Sequence, residues 1–210
     1  MNLFSRSLSA NPEADILEVM AMSAKLAQVA TKATGVDVTA WTTVYGEPLG
    51  RVTWTSQIDS LAAHGANMAK LGGDKGYLDL VTKAPALFVG PLEDQMSEMV
   101  AVAGEPNFAG KYASVVSAQV AGGQIAASMG WAVDILNHVV AVTGVGGTLV
   151  RGLFGPWATL AWIAVYDSLE QLDAAGAAQS ADMAYVEKLD KGGHLFVPAS
   201  AGQVLFERIS

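Results

Sequence analysis

The chain has 210 residues, 51% hydrophobic and 15% charged, with no cysteine and a net charge of −8. That composition supplies a core and argues against disorder, while disulfides, cysteine-ligated metals and thiol catalysis are excluded. Both halves are acidic and no Lys/Arg cluster is present, so neither nucleic-acid binding nor docking on an anionic membrane is expected.

Taken in chain order, a first strand is predicted over 2–10. A helix follows, with Asn11 as N-cap, Pro12 at its first position and Glu13 and Asp15 near its positive end. Ile16, Val19, Met20, Ala27 and Ala30 recur at helical spacing. Ser23 falls on the same stripe, where its hydroxyl can bond back to the preceding turn. Gly35 ends the helix as a left-handed cap. Two strands follow, 37–45 and 51–58, rich in β-branched and aromatic residues with period two. Asp37, Thr39, Trp41, Thr43 and Tyr45 share one face of this pair with Arg51, Thr53 and Gln57. A second helix starts at Asp59, and a last strand follows Leu87.

The second half repeats the first at a nearly constant offset. Thr34-Gly35-Val36 recurs as Thr143-Gly144-Val145, and Trp54 as Trp162. Asp59-Ser60-Leu61 recurs as Asp167-Ser168-Leu169, Tyr77 as Tyr185, and Leu87-Phe88-Val89 as Leu195-Phe196-Val197. The repeat predicts a strand over 112–121, a cap at Gly144, a capping box from Asp167 to Glu170 and a final strand after Leu195. The order βαββαβ, written twice, predicts an α+β chain of two ferredoxin-like repeats, 1–107 and 108–210. Both helices of a repeat cover one sheet face, and two such sheets packed together would line a barrel.

This order and duplication resemble the dimeric α+β barrel superfamily in fused form. The segments Trp54, Ser60-Leu61 and Gly76-Tyr77, with Trp162, Ser168-Leu169 and Ala184-Tyr185, resemble its NIPSNAP type. The superfamily includes quinone-forming monooxygenases, muconolactone-type isomerases, haem-degrading enzymes and haem peroxidase relatives. The NIPSNAP type lends no catalytic set, and fold does not imply function.

Few residues are candidates for chemistry. His64 falls on the apolar stripe of Leu61, Gly65, Met68 and Leu71, where the repeat has Leu172. It is read as an acid–base group or axial haem ligand, against a buried neutral imidazole bonded to backbone or a boundary residue. Trp41, Tyr45 and Arg51 are read as ligand contacts on the polar strand face, with Asp37 as a second proton-transfer candidate; the competing account is an exposed face or a packing interface. His138 is expected to pair with Asp134, and His194 to lie in a loop. Arg151 breaks the parity of its strand, through a bulge or a buried anion. No GxSxG, HExxH or phosphate loop is present, and Gly144-Val145-Gly146-Gly147 follows a helix where a dinucleotide loop follows a strand.

Three functions stay open. The first is a small-molecule binding protein or cofactor-independent enzyme acting on an aromatic or quinone-like ligand in the barrel interior. The second is a haem protein with His64 as axial ligand. The third is a non-catalytic assembly subunit. No cofactor is required by the first, no metal site is predicted, and homo-oligomerisation is compatible with all three. The N-terminus lacks the apolar core of a signal peptide, and the apolar stretch 139–165 is broken by glycines, Arg151 and Pro156. The expected protein is soluble and cytoplasmic.

Overall fold

Nine residues of alternating character form β1 (Asn2–Ala10), followed by α1 (Ile16–Thr34), β2 (Val38–Tyr45) and β3 (Arg51–Ile58). The computed structural model of the protein describes residues Met1–Ser210 and divides them into two units. The first unit is Met1–Met96 with Phe206–Ser210; the second is Ser97–Leu205. In the first, β3 lies between β1 and β2, antiparallel to both, with Arg6 opposite Trp54 and Ala40 also opposite Trp54. One sheet face, carrying Val38, Ala40, Val52 and Trp54, packs on Val19, Leu26 and Ala27 of α1. Burying each such large side chain contributes about 1.5–3 kcal/mol. The Trp54 indole donates to the Ser23 carbonyl at 3.0 Å, and its ring meets Phe88 edge-on at 5.7 Å. The Ser23 hydroxyl bonds back to the Val19 carbonyl at 2.7 Å, so a polar side chain sits in this core fully satisfied.

Two features of the helices differ from the sequence expectation. Asp15, not Asn11, caps α1, its carboxylate accepting from the Leu17 amide. Asn11 instead closes a preceding turn by accepting from the Glu13 amide, since short Asx side chains serve both roles. The second helix is two helices, α2 (Leu61–Gly73) and α3 (Lys75–Lys83), because Asp74 takes an extended conformation and caps the next helix at the Tyr77 amide. A short 3₁₀ turn leads into β4 (Phe88–Ala103).

The second unit repeats the plan with β5 (Tyr112–Gln119), α4 (Ile125–Thr143), β6 (Gly147–Phe154) and β7 (Thr159–Tyr166). Then come α5 (Leu169–Ala181), α6 (Met183–Gly192), a 3₁₀ turn and β8 (Gly202–Arg208). β7 is the central partner of β5 and β6. Gly35 and Gly144 end α1 and α4 at φ of 78° and 70°, as their shared motif predicts. The capping box is one residue later than predicted. Ser168 accepts from the Gln171 amide, and the Gln171 side chain reaches back to the Asp167 amide. The final strand is also later: Phe196 makes only an isolated bridge to Val120, and β8 begins at Gly202. Pro198 lacks the amide a ladder needs, and Ala199 turns the chain at φ 60°.

β4 and β8 run from one unit into the other. Within the first unit β4 flanks β1 and β8 flanks β2; within the second, β4 flanks β6 and β8 flanks β5. The repeat boundary expected near residue 107 falls in the loop between β4 and β5. By length and composition, α4 is apolar enough to cross a membrane, with a mean hydropathy of 1.5. Its Ser128, Ala132, Ile135 and Leu136 are buried in the second unit.

Candidate functional site

In the first unit a cavity of about 180 Å³ lies between the helix-facing side of the sheet and the three helices. Strand parity brings Phe4, Arg6 and Leu8 of β1 to that side, since their cross-strand partners Ser56, Trp54 and Val52 share it. Helix parity brings His64, Asn67, Met68 and Leu71 of α2 to the opposite wall. The Ser60 cap starts α2, and the His64 amide closes its first turn on the Ser60 carbonyl at 2.9 Å. Tyr77, placed by the Asp74 cap, adds a hydroxyl. The remaining lining is largely aliphatic and aromatic, as in small-molecule sites where a few polar groups orient the ligand.

His64 is half-buried, its ring 4.4 Å from that of Phe4. Burial pushes the imidazole below its ordinary pKa, and the Arg6 charge pushes the same way, against a smaller opposing pull from Asp94. The ring is therefore neutral near pH 7, with one nitrogen a donor and the other an acceptor. No hydrogen bond within the protein claims either nitrogen. The buried, backbone-bonded imidazole considered from sequence is thus not what the fold makes.

Arg6 is the one formally charged side chain lining the cavity. Its Nε and one terminal nitrogen each donate to a carboxylate oxygen of Asp94 at 2.7 Å. These bonds hold the guanidinium above its ordinary pKa against the cost of burial, with the Tyr77 hydroxyl adding to them. Asp94 itself does not line the cavity.

The other predicted site residues lie elsewhere. Trp41 is buried on the opposite sheet face; its indole donates to Thr55 at 2.9 Å, and the Arg208 guanidinium covers its ring at 4.7 Å. The polar face is already partly knitted there, with Ser7 and Thr53 hydroxyls 2.8 Å apart. Arg51 pairs with Glu93, and with Glu47 at 3.2 Å. Tyr45 is 70% exposed, and Asp37 is exposed just before β2. The structure brings none of these four to the cavity. Arg6, Asn67 and Tyr77 join His64 there instead. The register of β1 on β3 could have flagged Arg6, whose neighbours in the strand pattern are apolar.

The second unit has no such group. His138 pairs with Asp182 at 3.3 Å, not with Asp134, which binds Lys188. The break between α5 and α6, unseen in the sequence, puts the Asp182 cap beside α4. His194 is exposed in the 3₁₀ turn. Arg151 forms an ion pair with Glu98 of β4. A cavity of about 190 Å³ beside Arg151, Trp157 and Ile125 has no titratable lining group but that paired arginine.

No protein-family model matches this sequence. No curated protein matches it. Solved structures do match. A candidate monooxygenase from Fusobacterium nucleatum is 10% identical, with all of this chain and 92% of that one covered at a TM-score of 0.73. An anthrone oxidase-like protein is 11% identical over all of this chain and 91% of its own, with a TM-score of 0.65. This chain has the fold of a fused dimeric α+β barrel. A NIPSNAP domain protein from Burkholderia xenovorans is 13% identical and matches 48% of this chain and 95% of its own, with a TM-score of 0.41. In the fused barrel the α+β class and the ferredoxin-like repeats read from the sequence stand.

Proposed function

We propose that the first unit of this α+β barrel binds a small, largely apolar aromatic molecule and acts on it without a cofactor, His64 taking a proton from the bound ligand. The observation that carries this reading is a half-buried imidazole with unclaimed nitrogens on the wall of a largely apolar cavity. A neutral histidine beside a hydroxyl or an acidic C–H is a competent general base near pH 7. Asn67 and Tyr77 are placed to orient the ligand. The names of two matched structures, a candidate monooxygenase and an anthrone oxidase-like protein, support oxidation of an aromatic as the reaction class. The ligand site in this reading is on the helix side of the first sheet, where the sequence pointed to the barrel interior.

A haem on His64 does not fit. The cavity of about 180 Å³ is below the roughly 300–1,000 Å³ of pockets that hold drug-sized ligands, and the Phe4 ring, tilted by 42°, lies 4.4 Å from the imidazole that would ligate iron.

The test is NMR of the histidine and tryptophan side chains during titration with 2-naphthol, followed by oxygen uptake with anthrone. The His64 and Trp54 signals are expected to move while that of Trp131 does not. His64→Ala is expected to lower oxygen uptake about 10²-fold, the usual weight of a general base. Unmoved His64 and Trp54 signals would sink the reading.

A further inference from the structure

Resting on that reading of the cavity, we infer that its ligand binds as an anion: an apolar aromatic frame with one acidic oxygen, held by Arg6. Three observations converge. First, Arg6 supplies the only formal charge on the cavity wall. Asp94 engages its Nε and one terminal nitrogen, leaving the second terminal nitrogen without a carboxylate, and the Tyr77 hydroxyl lies beside the same guanidinium. A guanidinium so fixed presents a donor of set direction to a planar anion.

Second, the other unit has no cation at the matching place. By strand register, Arg6 stands opposite Trp54 and its counterpart Val116 opposite Trp162. The second unit, whose equivalent space is filled by aromatic rings, holds a valine there. A charge needed only to tie β4 to its neighbour would have no reason to face the apolar gap between sheet and helices.

Third, the energetics favour an anion over a second neutral group. The Arg6 side chain is only 22% exposed, against 42% for Asp94. The carboxylate therefore neutralises the cation from the wetter side. A ligand oxygen arriving from the cavity meets a guanidinium already largely removed from water, so desolvating the cation is not a further cost of binding.

The experiment is calorimetric titration of the full chain with 2-naphthoate and with its neutral isostere 2-naphthamide. Wild type is expected to bind the carboxylate about tenfold more tightly or better. Arg6→Met is expected to lose that preference while still binding the amide, which also shows that the variant is folded. Asp94→Asn is expected to tighten naphthoate, because Arg6 is no longer shared with a fixed charge. Equal binding of the two ligands by wild type would overturn the anion assignment and leave the cavity reading standing. A carboxylate preference retained in Arg6→Met would likewise overturn it, by placing the anion elsewhere. Binding of neither ligand would overturn both.

Discussion

The two units solve the same packing problem with different side chains. Each places a central-strand tryptophan against the first helix: Trp54 donates to the Ser23 carbonyl, and Trp162 to the Ala132 carbonyl, both at 3.0 Å. Each sets a phenylalanine edge-on to that indole, Phe88 at 5.7 Å and Phe196 at 6.1 Å. They differ at the next layer. In the second unit Trp131 of α4 is wedged between them, 5.9 Å from Trp162 and 5.4 Å from Phe196, with its indole donating to the Lys188 carbonyl. At the matching place on α1 the first unit has Met22. Gly192 makes room for the extra ring, since a Cβ there would lie 2.2 Å from Trp131. Its counterpart in the first unit is Ala84, which lines the cavity. One unit has spent the space on aromatic packing, and the other has kept it open beside His64 and Arg6.

The largest way to break this contrast is Trp131→Ala. Removing a half-buried indole and orphaning the Lys188 carbonyl is expected to cost about 3 kcal/mol in urea unfolding. Met22→Ala should cost less, since it removes a smaller side chain that has no hydrogen bond to lose. Equal losses at the two positions would mean the units are not packed differently. Next in size is Gly192→Ala, where a methyl driven into Trp131 is expected to cost about 1–3 kcal/mol. The cost should largely vanish in combination with Trp131→Met. Additive effects in that double-mutant cycle would show that the glycine is required for its backbone alone.

The smallest effect concerns His64. Its folded pKa is lowered below the ordinary value, chiefly by burial. The unfolded chain therefore binds the proton more readily, and stability falls as pH drops through and below the unfolded value near 6.5. Above that pH both states are neutral and the group contributes no slope. His64→Leu, which restores the residue of the second unit, is expected to flatten this part of the stability curve between pH 7.5 and 5. An unchanged slope would indicate that the imidazole titrates alike in both states.

The candidate site was only partly legible in advance. His64 stood out because a titratable ring occupied a slot on an apolar helical stripe. The alternation of β2 and β3 correctly separated two sheet faces, but polarity drew attention to the face of Trp41, Thr43 and Thr53. There Trp41 bonds to Thr55 and Ser7 to Thr53, and only the buried Thr43 hydroxyl is left without a partner. Arg6 was passed over because its place between Phe4 and Leu8 on the helix-facing side of β1 shows only once the register of β1 on β3 is known.

What the sequence determined by itself was the repeat, the βαββαβ order and the glycine caps, because these rest on local rules: period, left-handed backbone and chain offset. It also determined that Arg6, His64 and Met22 have no counterparts of their kind in the second half. Only the tertiary structure decided that Arg6 and His64 meet in one place. A cavity is a property of what fails to fill a space, and the residues bounding this one come from β1, α1, α2, α3 and β4. Their convergence depends on strand register, on the break at Asp74 and on side-chain volume, none of which a pattern along the chain records.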